Sequence, residues 1–201
     1  MVGDSQVCAA QSDDVSGKGL PTAVASAGGV LYIASGLVVA VGAACRAVGL
    51  EPYVPTLPRG TKAWRHIYVT GEFIRCVEKD APIYTRSDPT QALPSAQIEA
   101  ELDGFCEGLG LAVAQDFHCL EPFSKYVWQL KTPDVRLVGW FLVKNWMVLH
   151  VTGDANVLHT DWDNYRPLVD ATARFRASLG NAIPGPIKGV RAADVVSNKV
   201  R

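Results

Sequence analysis

The chain has no surplus of charge. Nineteen Lys+Arg stand against 20 Asp+Glu in 201 residues, a formal net charge of −1. Nothing global therefore draws it to nucleic acid, and no direct DNA binding is expected. Cysteine is scarce and scattered: Cys8, Cys45, Cys76, Cys106 and Cys119 are odd in number and contain no CxxC pair. That argues against a zinc site and a disulfide framework, and for a reducing cytoplasm. There is no phosphate-cradling glycine motif and no internal repeat. His118-Cys119-Leu120-Glu121 lacks the His-x-Glu and Cys-x-x-Cys pattern of zinc deaminases. The acidic run Asp154, His159, Asp161, Asp163 matches no metal-loop spacing and reads as a helix entry. No metal and no cofactor are expected.

What is present is apolar patterning. Hydrophobic residues make up 48% of the chain, enough for one ordinary domain with a sizeable core. Residues 1–60 read as an extension. They hold a polar start, an uncharged small-residue segment at 28–45, and a linker marked by Pro52, Pro55 and Pro58. Three readings stand for 28–45: a loosely packed extension, a membrane-associated helix, or a targeting segment. A membrane is a partner only if that segment inserts. The change of character near Pro55–Pro58 also fits a start of translation placed too early. Residues 61–180 form the expected domain. Residues 181–201 read as a mobile basic tail, with Lys188, Arg191, Lys199 and Arg201 against Asp194.

Within the domain, Ile67 and Val69 alternate in a strand over 64–73. Ser95 can cap a helix whose stripe is Ile98, Leu102, Phe105 and Leu109, stopped by Gly108 and Gly110. The run at 126–151, YVWQLKTPDVRLVGWFLVKNWMVLHV, reads as three antiparallel strands, with turns at Thr132-Pro133 and Lys144-Asn145. A last helix begins near Asp163 or Asn164, with Pro167 in its first turn, and ends at Gly180.

Direct pairing assigns the faces. Trp128, Leu130, Val135, Leu137, Phe141 and Val148 share a core face, with His150 opposite Gly139. Gln129, Lys131, Arg136, Val138, Trp140, Leu142, Met147 and Leu149 share the other. Its polar end gathers Gln129, Lys131 and Arg136; its apolar end needs the last helix or a partner chain as cover.

Two readings stand at the polar end. Lys131 and Arg136 are either solvated strand ends or a phosphate clamp. Metal-free RNA cleavage needs cations at phosphorus and a base for the 2′-hydroxyl. Arg136 and Lys131 fit the first need, and His159 or Tyr165 the second. Gln129, Lys144 and Arg166 are candidate substrate contacts. The competing assignments are a surface loop residue for His159, a packing residue for Tyr165 and a satisfied core histidine for His150.

The run VWQLKTPDVRLVGWF, followed by the MVLHV strand, resembles the RelE/HigB-like toxin superfamily, particularly its phage-derived branch. The likeness spans about residues 64–179. It implies an α+β fold in which a small curved antiparallel sheet, one N-terminal strand plus the meander, packs with helices. It also implies the toxin of a type II toxin–antitoxin system, an mRNA endoribonuclease acting on the ribosome and held by a cognate antitoxin. Arg136 matches the family's second-strand arginine, and Lys131 the basic residue that often closes the preceding strand. The acidic segment after the last strand departs from the family's basic run. Over residues 63–179, 11 Lys+Arg face 15 Asp+Glu. A non-catalytic binding module of the same fold, such as a prophage accessory protein, is therefore the alternative, and a membrane-tethered accessory protein a third.

Overall fold

Helix α1 (Ser35–Ala47) opens the part of the chain that the computed structural model describes, residues 35–112, 115–121, 123 and 125–197. The polar segment 1–19, the first part of 28–45, and Lys199 and Arg201 lie outside the described residues. Val41 and Cys45, one helical turn apart, are buried with Leu50 against Tyr68, Trp140, Leu142, Trp146 and Val148. A Cβ on Gly42 would stand 2.9 Å from the Tyr68 hydroxyl, so the helix lies close. The expected separate extension up to residue 60 is thus corrected: its later part supplies core, because an apolar sheet face needs cover. Among the described residues no helix is long and apolar enough to cross a membrane.

The fold is α+β. Among the described residues six strands, β1 (Glu51–Pro52), β2 (His66–Val69), β3 (Phe117–Cys119), β4 (Trp128–Lys131), β5 (Val135–Val143) and β6 (Trp146–Asp154), lie in the order β1-β2-β6-β5-β4-β3. The expected four-stranded antiparallel sheet is corrected twice. β1 and β3, two and three residues long, are too short to show alternation. β2 runs parallel to β6, His66 beside Trp146 through Val69 beside Leu149, so the sheet is mixed.

The strand expected over 64–73 stops at Val69 because the Thr70 side chain caps α2 (Gly71–Arg75), accepting from the Phe73 amide at 3.1 Å. A π-helical turn, Cys76–Asp80, comes next. Helix α3 (Pro94–Glu107) starts on Pro94 rather than after Ser95, and ends on Gly108 at φ +88°.

The meander forms as expected, with two register shifts, between Val138 and Gly139 and between Phe141 and Val143. These bulges change which face the later strand residues occupy. Trp128, Leu130, Val135, Leu137 and Phe141 meet Ile98, Leu102 and Phe105 of α3, joined there by Met147 and Leu149. Val148 instead lies with Trp140 and Leu142 on the opposite face. The expected assignments of Val148, Met147 and Leu149 are thereby exchanged. His150 sits at the first irregularity, 3.1 Å from Thr70 Oγ1 and stacked on Phe175 at 4.5 Å, on the α5 side rather than the α3 side.

After β6 come α4 (Ala155–Leu158), a 3₁₀ turn (Trp162–Tyr165) capped by Asp161, and α5 (Arg166–Ser178). α5 and α1 supply the cover for the second face, and Trp140 and Leu142 are fully packed. The tail expected to be mobile makes core contacts at both ends of 183–197. Ile183 enters the core, Val195 of α6 (Ala192–Val195) and Val196 enter it on the α3 side, and the Ser197 carbonyl accepts from Trp64 Nε1 and the buried Arg65 guanidinium. Its apolar residues decide against its composition.

Candidate functional site

Strand pairing builds the site. β4 and β5 set Lys131 opposite Arg136 and Gln129 opposite Val138, while β3 sets His118 opposite Gln129. Arg136 also faces Gly153 across β6, where the missing side chain leaves room for Leu158 and Leu168. The polar side chains thus share the sheet face that α4 and the 3₁₀ turn cover.

Arg136 is the centre. It is 4% exposed. Its Nη1 donates to the carbonyls of Thr132 and Val135, and its Nη2 to His159 Nε2 at 2.8 Å. Its Nε is buried with no partner. It makes no ion pair among the described residues. The neighbouring carboxylate is engaged elsewhere: Asp134 accepts from the Ser87 amide and hydroxyl at 2.8 and 2.6 Å and from Gln97 Nε2 at 2.6 Å, which ties residue 87 and α3 to the β4–β5 turn. A buried cation without a carboxylate is costly, and an arriving anion removes the cost.

A guanidinium can only donate, so His159 Nε2 is an acceptor and the His159 ring is neutral, with its proton on Nδ1. Electrostatics agree. Burial, then the charges of Arg136 and Lys131, hold the His159 pKa below its ordinary value. His118 is pushed down to about 4 by burial and the same two cations. Burial and the repulsion of Arg136 also lower the Lys131 pKa. Gln129 Nε2 lies 2.7 Å from His118 Nε2, leaving Gln129 Oε1 and His118 Nδ1 buried without partners. Two cations, two neutral imidazoles and three unmatched buried polar atoms therefore share one place.

Trp162, 41% exposed, stacks near His118 at 6.4 Å and near Phe123 at 6.0 Å, and Arg166 lies over the Phe123 ring at 5.2 Å. This aromatic column forms the outer wall. Arg166 is also paired to Asp163.

Of the residues expected from sequence, Gln129, Lys131, Arg136 and His159 come together, and Arg166 stands at the rim. Lys144 does not join them. It sits in the β5–β6 turn, at the other end of the hairpin, and donates to the Ala193 carbonyl at 2.8 Å. Tyr165 is buried with Leu158, Val138, Val151 and Val169, so it packs the core rather than facing a substrate. His118 and Trp162 were not anticipated. A three-residue strand left His118 without a visible pattern, and stacking across separate loops leaves no periodic trace.

No group of three or more His, Cys, Asp or Glu among the described residues is arranged to hold a metal ion. The chemistry on offer is that of a cationic anion site with a neutral imidazole beside it. Comparisons with protein-family models, curated proteins and solved structures found nothing that matches this chain.

Proposed function

We propose that this site binds an RNA phosphate and cleaves the adjoining strand, as the toxin of a RelE/HigB-like toxin–antitoxin pair acting in the cytoplasm. The buried, carboxylate-free Arg136 beside a neutral His159 is the observation that carries the reading. An incoming phosphodiester takes the Arg136 guanidinium bidentately, and Lys131 adds a second charge. His159 Nε2, released by Arg136, accepts the 2′-hydroxyl proton. The 2′-oxygen bonds to phosphorus, the bond to the 5′-oxygen breaks, and Lys131, a stronger acid than an ordinary lysine, protonates the leaving oxygen. The product is a 2′,3′-cyclic phosphate and a free 5′-hydroxyl. A cognate antitoxin and the ribosome are the partners this reading requires.

The second reading is a non-catalytic RNA- or phosphate-binding module. Its support is that Arg136 already saturates His159 Nε2. One experiment separates the two. The purified full chain is incubated with end-labelled RNA, free and on ribosomes, beside Arg136→Ala and His159→Gln. Cleavage to cyclic-phosphate ends, slowed at least about 100-fold by either substitution, supports the enzyme. RNA bound but uncut supports the module, and RNA neither bound nor cut overturns both.

A further inference from the structure

On the α3 side of the sheet, away from Arg136, lies an open cleft of about 230 Å³. Tyr53, Phe73, Ile74, Val77, Ile98 and Leu102 form its apolar walls. Tyr53 is set in place by its hydroxyl, which donates to Asp103 at 2.8 Å. Ile74 and Val77 are only partly buried, so apolar surface reaches the mouth. The π-helical turn Cys76–Asp80 carries Val77 and Glu78 to the rim, and such turns recur at functional positions.

The rim is acidic. Glu78 and Glu99 are exposed, line the cleft, and make no ion pair among the described residues. No Lys or Arg lines the cleft, and α3, PSAQIEAELDGFCE, contains none. Ala96, Glu99, Ala100 and Asp103 follow the spacing of one helix face, with the two alanines leaving a low surface between carboxylates. The volume is below the range of about 300–1,000 Å³ usual for small-molecule sites and suits an anchoring side chain. Two carboxylates with no cation among the lining residues disfavour an anionic occupant.

We infer that the α2–α3 cleft docks an amphipathic basic segment of a partner protein, an apolar side chain entering between Val77 and Leu102 while Lys or Arg residues meet Glu78 and Glu99. This is helix-in-groove recognition with complementary charge. It is independent of the Arg136 site.

The test uses the full chain and a fluorescent synthetic peptide with leucines at helical spacing among lysines, beside a scrambled peptide of equal composition. The patterned peptide is expected to raise anisotropy saturably, and the scrambled one to bind about tenfold more weakly. Val77→Trp, which fills the cleft, removes the difference. Glu78→Lys with Glu99→Lys, both on exposed positions that leave folding intact, weakens the patterned peptide about tenfold. Equal binding of both peptides, no binding of the patterned one, or unchanged affinity in the doubly reversed protein overturns the inference.

Discussion

Gly139 shows how much one missing side chain decides. A Cβ there would stand 1.9 Å from the Val148 carbonyl oxygen, so β6 closes onto β5 only because the position is glycine. Backbone cannot swing aside as a flexible side chain does. Gly139→Ala is therefore expected to lower unfolding free energy by about 3 kcal/mol, the upper part of the range for overpacked cores, read as a lower urea midpoint. A midpoint unchanged from the parent would show that the irregularity relaxes freely. His118 offers a second residue-scale prediction. Its folded pKa of about 4 lies below the ordinary 6.5, so between those values the unfolded chain binds more protons. Stability associated with neutral His118 is complete above about pH 6.5 and is lost as pH falls toward about 4. Urea unfolding at a series of pH values checks this, and His118→Gln should flatten the slope in that window. An identical slope in the variant would refute the assignment.

At the scale of elements, α1 is the piece whose role departs most from its composition. Its small-residue sequence, uncharged up to Arg46, reads as an appendage, yet Val41 and Cys45 cover Trp140, Trp146 and Val148. A chain beginning at Thr61 exposes that cluster. It should bind a hydrophobic dye strongly and lose cooperative unfolding; a sharp transition with no dye binding would show α1 to be dispensable. The meander, α3 and α5 were legible in the sequence because each repeats its period long enough to be seen. Gly108 and Gly180 were legible as stops, and both take positive φ. β1 and β3 were not, being shorter than one clear alternation. The face of Val148 was lost for a different reason. A bulge shifts register without leaving a residue type that announces it, although Gly139 marks the spot once the close approach is known. In the site, Arg136 and Lys131 were legible from strand pairing alone, whereas the loss of Asp134 as a partner depended on Ser87 and Gln97, distant in sequence.

The whole molecule carries its charge in places rather than in sum. With a formal net charge of −1, RNA would gain little from the protein at large, and on the proposed reading its binding rests on the few cations around Arg136. The salt dependence should therefore be shallow. Two phosphate contacts from Lys131 and Arg136 give a slope of about −1.4 in log affinity against log salt for single strands. Filter binding across salt concentrations measures it, and a slope several times steeper would place the RNA on another surface. The basic site and the acid-rimmed cleft lie on opposite sides of the sheet, which leaves room for a nucleic acid and a basic protein segment at once.

The parallel pairing of β2 with β6 has a consequence for synthesis. α1, β1 and β2 are made before β6, the strand that seats β2 and carries part of the surface α1 covers, which follows some eighty residues later. Arg65 finds the Phe105 and Leu109 carbonyls once α3 is made, but its bonds to the Ser197 carbonyl complete only after residue 197. In the nascent chain β1 and β2 can pair with each other at once, whereas the second edge of β2 and the surface that α1 covers are completed only when β6 has been made.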